Sequence, residues 1–408
     1  MSCGRTPGRP GYRAMTFLLA ALSMIGPFSI DTYLPSFPEI AADLHATPLQ
    51  VQQSLTFYLG PFAIMMLWHG ALSDALGRRP VILGGLAIFT LATLGCVFAS
   101  SIEQLWLLRM LQGISAGVGL TIGRAVIRDL YDGADAQRLM GHVGMVFALA
   151  PAIAPVVGGL LQAAFGWRSI FVLLFGLATL LLLACWRWLP ETLPTAKRQS
   201  LQPRELLRAY RAVLSDPPFL GASAAIALAF AGVFIYILSA PVVVIQHLGL
   251  GPEQFGYLFI PTTAGMMAGS ALAARWASNN PARSLRRGFA LMALAALFNL
   301  ALRFIDAPAL PWAIVPLPLY TIGMGAVMPG LTLLALDRFP ARRGLASSCQ
   351  GFIHTGGNTL SAGLLVPLLW GSLNTMAIGM SALLLGAFAA ALVYRTLARR
   401  RLLRPDFR

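Results

Sequence analysis

Asp31 and Arg109 are the charged side chains that this sequence sets well inside long apolar runs. A carboxylate held near a guanidinium in such surroundings is suited to taking up and releasing a proton. Desolvation disfavours its ionised form and a cation favours it, so its proton balance follows whatever surrounds it. Asp31 also fits a plain helix-end cap at an interface, and Arg109 a long stem reaching out to the outer interface. Farther along, Gln350, His354 and Asn358 recur every four residues and form one polar stripe on an apolar helix. Such a stripe suits contact with a bound molecule, and equally an internal hydrogen-bond network. Gly113-Ile-Ser115-Ala-Gly117 has the spacing of a nucleophile elbow, but it lies in an apolar helix and not at a strand–turn–helix junction. No His-Glu-x-x-His, phosphate-loop or dinucleotide pattern occurs. An enzyme is therefore not expected, nor a catalytic residue, metal or cofactor.

The elements that position these residues follow from composition. Of 408 residues, 57% are hydrophobic and 11% charged. A soluble domain carries roughly a quarter charged residues, so most of this surface must face a lipid bilayer. A crossing helix needs about 20 mainly apolar residues. That criterion places spans at 15–36, 49–71, 80–99, 104–123, 139–163, 168–189, 219–246, 254–275, 288–305, 312–335, 345–370 and 375–395. Asp31 and Arg109 then lie at similar depth, about five residues or roughly 8 Å below the outer boundary, where they can approach each other. Cys96, Cys185 and Cys349 fall inside apolar stretches and read as small core residues. The basic first fifteen residues lack an Ala-x-Ala cleavage site, so the first span reads as retained.

Charge orients the spans. With the N-terminus inside, 27 of the 30 Lys and Arg fall on the cytoplasmic side, against Arg168 and Arg303 outside and Arg109 within a span. The net charge of +15 is spread over every inner loop and does not form a nucleic-acid patch. The polar stretch from Pro190 to Pro218 reads as a cytoplasmic linker with one amphipathic helix. It separates an N-terminal six-helix bundle (1–189) from a C-terminal six-helix bundle with a basic tail (219–408). Leu34-Pro35, Pro48, Pro61 and Gly70 recur in order as Ala240-Pro241, Pro252, Pro261 and Gly269, which is a weak internal repeat of the kind that builds carriers.

Three motifs add a resemblance. Gly70-Ala-Leu-Ser-Asp74-Ala-Leu-Gly77-Arg78-Arg79-Pro80 fills the stretch between spans two and three. It resembles the signature of the major facilitator superfamily, Gly-x-Leu-Ala-Asp-Arg-x-Gly-Arg-Lys, with Ala75 in place of the usual basic residue. Arg109-Met-Leu-Gln112-Gly113 is similar to that family's Arg-x-x-Gln-Gly. Ala150-Pro151-Ala-Ile-Ala154-Pro155-Val-Val-Gly158-Gly159 resembles the antiporter motif Gly-x-x-x-Gly-Pro-x-x-Gly-Gly, with alanine at the first two glycines. Phe28-Ser-Ile-Asp31-Thr-Tyr33-Leu-Pro35 looks like the start of Bcr/CflA-type drug exporters, in which an acid here is linked to proton coupling. The Gly166-Trp167-Arg168 and Leu189-Pro190-Glu191-Thr192 junctions also match.

The resemblance implies an all-α protein with twelve transmembrane helices in two pseudo-symmetric bundles. It implies a monomeric drug:proton antiporter of the bacterial inner membrane, with both termini cytoplasmic. Its partners would be a small lipophilic substrate, protons and the bilayer, without ATP. Asp31 would exchange the proton and Arg109 tune it. Asp74 would hold the cytoplasmic ends of the bundles. Tyr33, Gln53, Phe57, Tyr58, Tyr236, His354 and Asn358 are candidates for lining the substrate cavity. An exporter of sugars, amino acids or another metabolite on the same fold is the alternative. The topology is testable: reporters fused after Arg408 and near Gln199 should be active only in the cytoplasm. A periplasmic signal from either contradicts it.

Overall fold

Without water at hand, an apolar run closes all its backbone hydrogen bonds only as a helix, and helices are what the chain forms. The computed structural model describes residues 12–277, 281–304 and 310–402, the side chains of residues 13, 134, 277, 281, 341 and 398–402 excepted. Among the described residues there is no strand, and 11 helical stretches are long and apolar enough to cross a membrane. The chain divides into two compact units, Met1–Gln202 and Pro203–Arg408.

The first unit contains α1 (Tyr12–Asp31), α2 (Phe37–Asp43), α3 (Pro48–Leu76), α4 (Arg78–Val97), α5 (Ile102–Ala116), α6 (Val118–Leu130), α7 (Gly133–Phe165) and α8 (Arg168–Trp188). The first crossing is not one helix over 15–36. It breaks after Asp31 and restarts through a 3-10 turn, Leu34–Ser36, into α2. Pro35 and Pro38 sit in the first turns of those two pieces, where a missing N–H costs nothing but earlier helix cannot run through. By contrast α5 and α6 run on as one crossing, Ile102–Leu130. Pro151 and Pro155 leave α7 unbroken. Each removes one donor, so the carbonyls of Phe147 and Pro151 lose their helical partners.

The second unit contains α9 (Pro203–Leu214), α10 (Pro217–Leu238), α11 (Gly256–Ala277), α12 (Pro281–Phe304), α13 (Pro316–Leu336), α14 (Arg343–Leu360), α15 (Val366–Leu369) and α16 (Leu373–Leu402). Asp216 caps α10 by accepting from the Phe219 N–H at 2.9 Å. A π-helical stretch, Pro241–His247, follows α10, and a second, Ser361–Leu365, joins α14 to α15. The expected span 345–370 is therefore α14, a π turn and α15 in succession. It is not among the 11 strongly apolar stretches.

The 190–218 stretch is not a free linker. Its first part is bonded to the first unit, where the Gln199 N–H donates to the Asp74 carbonyl at 3.0 Å. Its amphipathic helix, α9, buries Tyr210 and Val213 in the second unit. Cys96, Cys185 and Cys349 are buried and free, as small core residues are.

Candidate functional site

Asp31 is the last residue of α1 and is 6% exposed, the one buried carboxylate among the described residues. A helix C-terminus offers carbonyls, which a carboxylate cannot accept from, so Asp31 is no cap. Its carboxylate has no hydrogen bond or ion pair among the described residues. α7 presses against the next residue. A Cβ on Gly158 would overlap the Thr32 carbonyl oxygen, so only glycine lets the helices meet there. The antiporter-type motif thus backs directly onto the break that carries Asp31. Gly159 and Pro155 are buried beside it and Pro151 is half-buried.

Arg109 is fully buried, but it does not pair with Asp31. Its guanidinium lies between two rings, 4.6 Å from the Tyr33 centroid and 4.3 Å from that of Tyr58. Nη1 donates to the Gln112 side-chain oxygen at 2.9 Å and to the Ser29 carbonyl at 3.4 Å. Nε and Nη2 have no partner. A desolvated cation–π contact contributes about 2 kcal/mol, so two rings offset part of what burying the charge costs. The arginine neither snorkels nor neutralises the acid. It fastens α5 to α1 through Ser29, two residues before Asp31.

That fixes the tyrosines. The Tyr33 hydroxyl is 2.9 Å from Ser54 Oγ. The Tyr58 hydroxyl donates to the Gly26 carbonyl and accepts from Ser29, both at 2.9 Å. Tyr236 accepts from Asn299 at 2.8 Å. All three are buried inside their own units. Phe57 is 39% exposed and stacks on Trp106 at 5.0 Å, and Gln53 is half-buried four residues earlier on α3. His354 and Asn358 lie on α14. At Gly113 a Cβ would overlap the Tyr58 carbonyl, so this glycine-rich stretch is close packing and not a nucleophile elbow.

The expected loop around Asp74 is a single residue. Gly70 to Leu76 end α3, Arg78 starts α4, and Gly77 turns the chain with φ 104°, a conformation that favours glycine. Arg78 donates to Ser73 Oγ at 2.6 Å, to Asp74 Oδ1 at 2.5 Å and to Asp129 Oδ2 at 3.1 Å. Glu191 accepts the backbone N–H of Arg78 at 3.0 Å and of Arg79 at 3.3 Å. The N-terminus of α4 is thus held by Glu191 and not by Asp74. Arg79 donates to the Trp186 carbonyl at 2.6 Å, and Thr192 to Asp129 at 2.9 Å. All these partners of Asp74 and Arg78 lie in the first unit. Nothing in the sequence singled out Asp129, whose partner Arg78 is 51 positions away.

A second clamp joins α2 to the junction of α7 and α8 and to the end of α4. Glu39 accepts from the Trp167 N–H at 3.0 Å and from Gln162. Asp43 accepts from the Trp167 indole at 3.0 Å and from Arg168 at 2.6 Å. Arg168 also donates to the carbonyls of Val97 and Ala99 at 3.2 and 3.1 Å. Sequence reading missed Glu39 and Asp43. The Gly-Trp-Arg junction was their only trace.

Residues 17–362 match the family model described as Major Facilitator Superfamily. The chain belongs to the major facilitator superfamily. Members of this family are carriers of small molecules, not enzymes, and this chain is a multi-pass membrane transporter. It is 33% identical over 374 residues to the uncharacterised MFS-type transporter YdgK of Bacillus subtilis, covering 91% of this chain and 92% of that protein. It is 30% identical over 338 residues to the bicyclomycin resistance protein homolog of Haemophilus influenzae, covering 82% and 84%. Multidrug resistance protein D of Escherichia coli is 28% identical over 354 residues, covering 86% and 88%. Among solved structures, a bacterial homologue of the human lysosomal transporter Spinster superposes with a TM-score of 0.70 at 18% identity, over 97% of this chain and 98% of that one. That likeness shows the shared fold, and the expected Bcr/CflA-type resemblance agrees with the relatives' names.

Glu191 gives this site its test. Glu191→Ala leaves the Arg78 and Arg79 N–H groups without their acceptor and should destabilise the purified protein by about 1 kcal/mol, the usual cost of a lost cap. Transport should fall with it, and Glu191→Gln, which keeps an acceptor, should lose less. Equal melting temperatures for wild type and Glu191→Ala contradict the clamp.

Proposed function

We propose that this transporter exports small drug-like compounds from the bacterial cytoplasm across the inner membrane in exchange for protons. It works as a monomer by alternating access of the two six-helix halves, 1–189 and 219–408, with both termini cytoplasmic. The observation that carries the proposal is Asp31, a buried carboxylate without a hydrogen bond or ion pair, at a helix break packed on the Gly158 face of α7.

An ionised carboxylate out of water needs a partner, and Arg109 is already committed to Tyr33, Tyr58, Gln112 and Ser29. The charge on Asp31 is therefore tolerated only when water or a substrate reaches it. A proton and a substrate then favour different states of the protein, which is what coupled exchange requires. The names of the bicyclomycin and multidrug relatives support drug-like cargo. So does the scarcity of charge in the second unit's spans. Arg109 acts on coupling through position, by holding α1 at Ser29.

Inverted membrane vesicles with an acidic interior provide the test, with bicyclomycin and tetraphenylphosphonium as probes. Wild type should accumulate at least one of them when the pH gradient is imposed. Asp31→Asn should lose gradient-driven accumulation while still binding probe. Full accumulation by Asp31→Asn removes Asp31 from coupling. Accumulation of neither probe by wild type contradicts drug export.

A further inference from the structure

The seam between α10 and α14 gathers several buried polar atoms without partners. Among the described residues, several helical hydroxyls of the second unit bond back to their own helix, though Ser284 and Thr321 reach neighbouring helices and Ser239 also has no partner. Thr262 donates to the Leu258 carbonyl at 2.6 Å, and Thr359, Ser361 and Ser381 do the same at 2.9 Å. That is the usual resting place of a Ser or Thr in a span. Ser223 on α10 does not follow it. It is 1% exposed and its hydroxyl has no partner.

Three more polar atoms share this condition. One side-chain nitrogen of Gln350, one ring nitrogen of His354 and the side-chain oxygen of Asn358 are buried without a hydrogen bond. They do not bond to one another, so the internal network that the sequence allowed is absent. Gln350 and Asn358 are themselves buried, while His354 is half-buried. The two helices face each other along this line. Phe230 meets His354 edge-on at 4.6 Å between ring centroids. A Cβ on Gly357 would stand 3.5 Å from the Ala227 methyl. Ser223, Ala227 and Phe230 are spaced four and three residues apart, so all three lie on the α14 side of α10.

Four polar groups stranded in one seam of a membrane protein are costly and call for an occupant. Its chemistry is limited by what is present. α10 carries no acid or base other than the Tyr236 phenol, and α14 carries only Arg343 at its start and the Cys349 thiol besides His354. These two helices themselves offer a formal charge no carboxylate. Amide and imidazole groups offer donors and acceptors to uncharged hydroxyls and amides. Gln350 to Asn358 spans two helical turns, roughly 12 Å, the length of a small drug. The π-helical turn Ser361–Leu365 begins three residues after Asn358, and such turns often mark functional sites.

We propose that this seam, formed by Ser223, Gln350, His354 and Asn358 beside Phe230, hydrogen-bonds the uncharged hydroxyl and amide groups of the exported compound. It rests on the drug-export reading and names the substrate chemistry that reading lacks. A compound without such groups gains nothing from the seam. The seam therefore sets which neutral polar compounds the transporter accepts.

The experiment compares equilibrium binding of two probes to the purified full-length protein. Bicyclomycin is neutral and rich in hydroxyls and amides. Tetraphenylphosphonium is a cation with no hydrogen-bonding group. Ser223→Ala, Gln350→Leu and Asn358→Leu should each weaken bicyclomycin binding about tenfold, a typical loss for a buried polar contact left unmade. Tetraphenylphosphonium binding should change less than about twofold, which also shows that each variant is folded. Unchanged bicyclomycin affinity overturns the proposal and leaves water as the occupant. Equal losses for both probes also overturn it and assign the seam a structural role. If wild type binds tetraphenylphosphonium but not bicyclomycin, the seam proposal fails and export of cations stands. If wild type exports neither, the failure is that of drug export itself.

Discussion

A bilayer offers no water to a charge inside it, and that constraint organises the first unit. Arg109 is buried where an unpaired guanidinium would be prohibitive, and its surroundings answer it with two aromatic faces, an amide oxygen and a carbonyl. Meeting those demands draws Tyr33, Tyr58 and Gln112 into fixed positions. Gln112 in turn donates to Thr93 at 2.7 Å, so α4 is fastened to α5 at the same level. Asp31 sits close by with no such answer. Arg109 finds partners for part of its guanidinium, with Nε and Nη2 left unpaired, whereas the Asp31 carboxylate has no hydrogen bond or ion pair among the described residues.

Two clamps in the first unit repeat a single physical device. At each, a carboxylate accepts the free N–H at the start of another helix and a nearby arginine ties in further groups. Glu191 does this for α4, with Arg78 bridging Asp74 and Asp129. Glu39 does it for α8, with Arg168 reaching Asp43, Val97 and Ala99. Helix starts carry unpaired donors and a partial positive charge, so an acid there holds firmly in a rim that is partly wet.

Most crossings were legible because each is a run of about 20 apolar residues with basic residues gathered at one end. What stayed hidden were the interruptions. The break after Asp31 and the π turns at Pro241–His247 and Ser361–Leu365 depend on where neighbouring helices press, and apolar runs look alike on either side of them. Asp31 and Arg109 stand out in the sequence as charges within apolar runs, and both are buried. Nothing local in the sequence shows that the Tyr33 and Tyr58 rings, and not Asp31, take up the guanidinium. Glu191 lies 113 positions from Arg78, a separation across which no local pattern reports a contact. Gln350, His354 and Asn358 showed their common face through spacing alone, but only coordinates reveal that they leave one another unpaired.

The proposed proton coupling turns on Asp31 carrying the exchanged proton. Proton release on adding tetraphenylphosphonium to purified protein in weakly buffered detergent solution measures that directly. Wild type should release protons in proportion to the protein present, and Asp31→Asn should release none while still binding the cation. Release by Asp31→Asn equal to that of wild type would contradict the account and place the exchanged proton on another group.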